Sequence, residues 1–143
     1  MSQKTYAGSC FCGTVEITVT GSSELMGLCH CTSCRSWAAA PINAFSLWRP
    51  EQVIVAKGEG DLGVFNKTDR SYRQFCRTCG GHLMTRHPTF NFVDVYPAVL
   101  RELPFDGKLH VFYGERMLSM RDGLPKFRDL PRELGGSGET IPE

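Results

Sequence analysis

Short runs of alternating polar and apolar residues recur along this chain, and β-branched residues fill many of them. Thr14-Val-Glu-Ile-Thr-Val-Thr20 alternates at every position, the pattern of a strand with one face in a core and one in water. Ile42–Trp48 is short and aromatic and is bounded by Pro41 and Pro50. Val53-Ile-Val-Ala56 is an apolar run ended by Lys57-Gly58. Leu62–Phe65, Ser71–Phe75, Asn91–Tyr96 and Leu109–Tyr113 complete the set. Gly, Pro and Asp punctuate these runs at modest intervals. The pattern predicts a mainly β fold of antiparallel sheets, a sandwich or open barrel. Helical periodicity is weak. Only Cys34-Arg-Ser-Trp-Ala-Ala-Ala40 fits one or two turns, and Pro41 stops it.

The length of 143 residues suits one domain, expected over residues 1–131, with a core large enough to stand without metal as its only staple. No internal repeat or linker is visible. Residues 132–143 include Gly135-Gly-Ser-Gly138 and read as a flexible C-terminal tail. A formal net charge of +1 gives no basic excess for a polyanion, so neither nucleic acid nor a membrane surface is expected as partner. No stretch approaches the roughly 18 apolar residues of a spanning helix. MSQKTYAGSC lacks the apolar region of an export signal, and a cytoplasmic location is the expectation. Oligomeric state is not legible.

That location changes the meaning of the cysteines, because thiols there stay reduced. All seven fall into three clusters: Cys10-Phe-Cys12, Cys29-His-Cys31-Thr-Ser-Cys34 and Cys76-Arg-Thr-Cys79. The odd count and the short C-x-C spacing argue against disulfides and for metal ligands. Cys76-x-x-Cys79-Gly80-Gly81 looks like a zinc knuckle, which is half of a tetrahedral site. Two clusters can supply the other half. Cys10 and Cys12 would share one face of a regular strand and approach the knuckle together. Cys31 and Cys34 would instead make a ribbon of two C-x-x-C units, but with a long intervening stretch and an unrelated trio left over. Spacing favours the first pairing. Cys29, Cys31 and Cys34 then form a local group of three, whose fourth position water, a substrate atom or a side chain can fill. His30, His82, His87 and His110 are the candidate imidazoles. His30 points away from its two cysteine neighbours if the backbone there is extended.

Three thiolates around Zn²⁺ leave a formal charge of −1, which makes a weak Lewis acid and a poor generator of hydroxide. A soft fourth ligand suits it better. An incoming thiol would lose its proton there and become an activated nucleophile. The chemistry implied is capture of a small thiol and its addition to, or release from, a carbon electrophile. The bland alternatives are a second purely structural ion or an iron–sulfur cluster on the triad, the latter weakened by the missing fourth cysteine. Arg35, beside Cys34, is the first candidate to meet substrate carboxylates, ahead of Arg73, Arg77 and Arg86. Trp37 and Trp48 can wall a pocket or fill a core.

Three segments together carry a resemblance: Gly8-Ser-Cys10-Phe-Cys12-Gly13, Cys29-His30-Cys31-Thr-Ser-Cys34-Arg35 and Phe75-Cys76-Arg-Thr-Cys79-Gly80-Gly81-His82-Leu83. They resemble the glutathione-dependent formaldehyde-activating enzyme family, also called the centromere-protein-V-like family. Phe45–Trp48 through Gly58 and Asp122-Gly-Leu-Pro-Lys-Phe127 are similar to family sequence as well, so the likeness runs from about residue 6 to 128. It implies an Mss4-like fold of antiparallel β-sheets with zinc knuckles and little helix. It implies two zinc ions, a structural one on Cys10, Cys12, Cys76 and Cys79 and a catalytic one on Cys29, Cys31 and Cys34. The implied activity is a carbon–sulfur lyase type, joining glutathione and formaldehyde into S-hydroxymethylglutathione or releasing them. The partners are then a small thiol such as glutathione and a small carbonyl, with Arg35 on the glutathione. The rival expectation is a zinc-stabilised binding module, or a glutathione carrier without turnover.

Overall fold

The computed structural model describes residues 3–143. The first two positions of the expected 1–131 domain lie outside the described residues. Ten strands and one α-helix follow in order: β1 (Thr5–Ser9), β2 (Glu16–Thr20), β3 (Leu25–Cys29), α1 (Thr32–Ala38), β4 (Asn43–Trp48), β5 (Val53–Lys57), β6 (Leu62–Thr68), β7 (Ser71–Cys76), β8 (His82–His87), β9 (Phe92–Val95) and β10 (His110–Val111). They form two sheets, of three and seven strands, with short 3-10 turns between several of them. The expected mainly β class with little helix is the class observed. Strands β1, β3 and β8 escaped the sequence pattern. Leu25–Cys29 shows why: three of its five residues are buried and none is charged, so no alternation exists to read. Its Gly27 looks like a strand breaker, yet a Cβ there would lie 2.7 Å from the Leu109 carbonyl oxygen and 2.7 Å from the Phe45 ring. Close packing, not flexibility, requires that glycine.

The chain divides into two compact units, one of residues up to Glu24 with Ser46–Phe105, the other of Leu25–Phe45 with Asp106–Glu143. In the first, β2 pairs antiparallel with β1 on one side and β5 on the other, with Tyr6 opposite Val19 and Thr18 opposite Ile54. A second antiparallel ladder runs β6, β7, β8, β9, and Ser46–Trp48 of β4 pairs with β9. Val15, Ile17 and Val19 meet Trp48, Leu83, Met84, Val93 and Val95 in one core, each at 1% exposure or less. Each such side chain contributes roughly 1.5–3 kcal/mol by leaving water. Trp48 is therefore a core residue, and its indole Nε1 donates to Ser46 Oγ at 2.9 Å. This sandwich carries Cys10 just past β1 and Cys76 at the end of β7.

In the second unit, β3 and β10 run parallel, with His110 opposite Leu28 and Val111 opposite Cys29. This pair is parallel, within a fold whose other named strand pairs are the expected antiparallel ones. The two segments are distant in sequence, so no hairpin imposes opposite directions. Residues 125–127 extend the layer, with His110 N–H donating to the Pro125 carbonyl and Phe127 N–H to the His110 carbonyl, both at 2.9 Å. Residues 139–141 add a further layer through Arg128 N–H to Glu139 and Ile141 N–H to Lys126, both at 2.8 Å. Glu139 and Ile141, within the stretch expected as a flexible C-terminal tail, are thus hydrogen-bonded to residues 126–128. The glycines of that stretch supply the reversal, with φ of 87° at Gly135 and 73° at Gly138.

Candidate metal centre

The sulfurs of Cys10, Cys12, Cys76 and Cys79 all lie within 4.8 Å of one another. Cys10 and Cys12 Sγ are 3.7 Å apart, and Cys12 and Cys76 Sγ 3.9 Å. Sulfurs at ~2.3 Å from a tetrahedral zinc lie about 3.8 Å from each other, so the spacing fits that ion. The route to this geometry differs from the one expected. Cys10–Gly13 is a turn rather than a strand, closed by Gly13 N–H to the Cys10 carbonyl at 3.1 Å. A positive φ of 82° at Gly13 makes the turn possible, and Phe11 is thrown outward at 95% exposure. On the knuckle, Gly80 N–H donates to the Cys76 carbonyl at 2.8 Å and Gly81 N–H to Cys79 Sγ at 3.3 Å.

Electrostatics pull these four thiols apart when no cation joins them. The Thr14 hydroxyl, 3.1 Å from Cys12 Sγ, leads the effects that bring the Cys12 pKa down to about 6. The Gly81 N–H lowers that of Cys79. Burial pushes Cys76 the other way. A dication at the centre favours the thiolate at all four and removes the conflict.

Cys29, Cys31 and Cys34 form the second group, their sulfurs also within 4.8 Å of one another. No imidazole or carboxylate joins that group among the described residues. Cys29 closes β3, and Cys31 takes the N-cap position of α1, where its Sγ accepts from Cys34 N–H at 3.2 Å. The helix starts at Thr32, two residues before the Cys34 expected, because a cysteine does the capping usually read from Ser, Thr, Asp or Asn. Its end is set by Ala39 in the left-handed region at φ 53°, whose N–H returns to the Arg35 carbonyl. Hydrogen bonding to Cys31 and Cys34, and then burial, raise the Cys29 pKa well above the ordinary thiol value. Three crowded thiols do not all ionise unaided, and a cation is what lets them.

Arg35 sits one residue past this group, but its guanidinium is committed locally. Nε donates to the His30 carbonyl and Nη2 to the Glu115 carbonyl, each at 3.0 Å. Glu115 answers with Oε1, which accepts from Thr32 N–H at 3.0 Å and Thr32 Oγ1 at 3.1 Å at the start of α1. Nothing in the sequence marks Glu115 for this role, since its partners lie more than 80 residues away. His82 and His87 belong to the first unit, on β8, as do Arg73, Arg77 and Arg86. A surface hollow lined by Gln3, Thr20, Glu24, Arg49, Glu51 and Gln52 contains none of the cysteines.

The glutathione-dependent formaldehyde-activating enzyme family matches residues 5–115, which include all seven cysteines. This chain belongs to that family. An uncharacterized lyase of Schizosaccharomyces pombe is 29% identical over 75 residues, covering 52% of this chain and 53% of the relative. The chain thus spans about half the length of that curated relative. A crystal structure of a Rhodobacter sphaeroides protein shares the fold, with a TM-score of 0.55 and 24% identity over 68% of this chain and 90% of that one. No helix among the described residues is long and apolar enough to cross a membrane.

The family match ends at Glu115, but the polar structure behind the second cysteine group continues past it. His30 and His110 are both fully buried, with His30 Nε2 2.7 Å from His110 Nδ1. His110 Nε2 lies 2.6 Å from Asp122 Oδ2. Lys126 Nζ donates to Asp122 Oδ1 at 2.5 Å, to the Leu124 carbonyl at 2.8 Å and to Glu143 Oε2 at 2.8 Å. Burial works against the Asp122 carboxylate, yet the bonds from Lys126 and His110 win and hold its pKa well below the usual carboxylate range. Burial, then the neighbouring His110, lowers that of His30 to about 4. His30 and His110, weighed earlier as metal ligands, bond to each other. Asp122 and Lys126 come from the Asp122–Phe127 stretch noted for its family likeness, which was the one sequence sign of this arrangement.

Proposed function

We propose that this chain is a zinc-dependent carbon–sulfur lyase that joins a small thiol, glutathione by family, to formaldehyde or a related carbonyl, and reverses that step. The division of the cysteines into a complete tetrahedral set and a set that closes at three is the observation that carries the reading. Cys10, Cys12, Cys76 and Cys79 would hold a structural zinc. Cys29, Cys31 and Cys34 would hold the catalytic one, which supplies a soft Lewis-acid centre that lowers the pKa of a thiol brought to it.

The reaction needs no oxidant. The thiol loses its proton, its sulfur forms a bond to the carbonyl carbon, and the carbonyl oxygen takes up a proton. The reverse breaks the same carbon–sulfur bond. This chain's part is to keep three sulfurs converged. Cys31 is fixed by Cys34 N–H, and Arg35 and Glu115 clamp the start of α1. Arg35 adds a positive charge that favours an anionic thiol such as glutathione, while its hydrogen bonds give it a structural duty as well. A cytoplasmic setting, where thiols are reduced, suits this chemistry.

Exchange spectroscopy on a glutathione–formaldehyde mixture, with metal analysis, tests the reading. The expected result is two zinc ions per chain, one lost in Cys34→Ser, and faster interconversion of free and S-hydroxymethyl glutathione with the wild type only. Two bound zinc ions with no change in exchange rate would reduce the protein to a binding module or carrier.

A further inference from the structure

The chain from Lys126 through Asp122, His110 and His30 ends between two of the three cysteines, and its hydrogen-bond directions can be worked out. Asp122 is ionised, so both of its oxygens only accept. Oδ1 takes the Lys126 ammonium, and Oδ2 takes the proton on His110 Nε2. Where that is the one proton His110 holds, its Nδ1 is bare and accepts from His30 Nε2 at 2.7 Å. His30 in turn has a bare Nδ1, a buried atom with no hydrogen-bond partner. One carboxylate therefore sets the tautomer of two rings in series.

The backbone of His30 is fastened as well. His30 N–H donates to the Val111 carbonyl at 3.0 Å, and the His30 carbonyl accepts from Arg35. The ring packs edge-on against Tyr113, with centroids 4.9 Å apart. His30 is the peptide that joins Cys29 to Cys31, so whatever fixes its ring and backbone fixes the angle at which those sulfurs converge.

We propose that Asp122 and His110 are positioning residues for the three-cysteine site: acting through His30, they lock the Cys29–His30–Cys31 segment into its ligand geometry, with Lys126 and Glu143 anchoring the carboxylate from behind. This rests on the reading of Cys29, Cys31 and Cys34 as metal ligands. Supports that orient metal-ligand segments from outside commonly change metal affinity about 10–100-fold when removed.

The test uses the full-length zinc-loaded protein with nitrogen-15 histidine and long-range proton–nitrogen correlation spectra, which report the tautomer of each ring. In the wild type both His110 and His30 should carry the proton on Nε2. In Asp122→Asn the amide oxygen stays with Lys126, so the amide NH₂ faces His110 Nε2. His110 must then accept there, hold its proton on Nδ1 and donate to His30 Nε2, and His30 moves its proton to Nδ1. Both rings invert, and the three-cysteine site binds zinc about 10–100-fold more weakly in competition with a chelator while the other ion is untouched. His110→Gln, whose amide can donate to Asp122 and accept from His30, should preserve zinc retention, whereas His110→Leu should not.

A wild-type spectrum with the His110 proton on Nδ1 overturns the proposal without any variant. So do unchanged tautomers in Asp122→Asn, or inverted tautomers with unchanged zinc retention. Wild-type protein that binds a single zinc would instead remove the metal reading of the three-cysteine group, whatever the tautomers.

Discussion

Asp94 offers a test of the electrostatics that needs no substrate. It sits in the middle of β9 with 9% of its surface exposed, and its Oδ1 accepts from Ser46 N–H at 3.2 Å. Burial lifts its pKa from 3.8 to about 7, against smaller opposing effects from the Ser46 bond and the Arg73 charge. The folded protein therefore keeps this proton while the unfolded chain has already lost it. A folded pKa above the unfolded one stabilises fully below pH ~4, and that stability drains away as pH rises to about 7. At ~1.4 kcal/mol per tenfold difference in proton affinity, the whole loss is about 4 kcal/mol. Asp94→Asn mimics the protonated acid at every pH and still offers an oxygen to Ser46. Urea denaturation of both proteins, zinc-loaded, should show the Asn variant gaining about 2–3 kcal/mol on the wild type between pH 5 and pH 8. Comparing the two at each pH cancels proton competition at the thiolates. A gap that stays constant, or narrows with rising pH, would refute a buried carboxyl that is forced to ionise.

Gly58→Ala should cost more than about 2 kcal/mol by urea denaturation, because φ is 76° and a Cβ would strike the Thr14 carbonyl oxygen. Gly123→Ala has the same φ but nothing within 4 Å, and about 1 kcal/mol is expected. Lys126→Met leaves Asp122 and Glu143 without their shared cation. Both carboxylates touch water, so the expected loss is about 2 kcal/mol rather than the 3–5 of a fully buried pair, measured at pH 7. Cys76→Ser should bind one zinc fewer and fail to give a cooperative thermal transition. Cys34→Ser should also lose one zinc but keep a melting temperature within about 5 °C of the wild type by calorimetry.

What could be read in advance follows from the range of each interaction. The pairing of Cys10 and Cys12 with Cys76 and Cys79 came from ligand spacing, which constrains geometry wherever the segments fold. β2, β4 and β5 came from alternation and punctuation, both local. The turn at Cys10–Gly13 was hidden, because a C-x-C pair converges equally well on a pleat or a turn and only Gly13 hinted at the second. The early start of α1 was hidden because Glu115 and Arg35 define it across a long sequence gap. The parallel β3–β10 pair and the Asp122–His110–His30 series were hidden for the same reason. Each residue reads singly as ordinary, and only tertiary placement makes the series.

On the proposed reading the two cysteine groups would do different work, because they close loops of different length. The four-cysteine group joins Cys12 to Cys76, 64 positions apart, within the first unit. Closing a loop that long costs the unfolded chain roughly 3–4 kcal/mol in entropy that a bound ion offsets. Cys29 and Cys34 span a single turn of chain, where the same reckoning gives only about 1–1.5 kcal/mol. That segment is also fixed already by the Cys31 cap, the Glu115 and Arg35 clamp and the His30 contacts. An ion there adds little that folding lacks. A cluster of three thiols, one of them forced well above its ordinary pKa, is costly to assemble for so small a structural return. On the proposed reading, the favourable use of such a site is to hold an ion whose remaining coordination belongs to something that comes and goes.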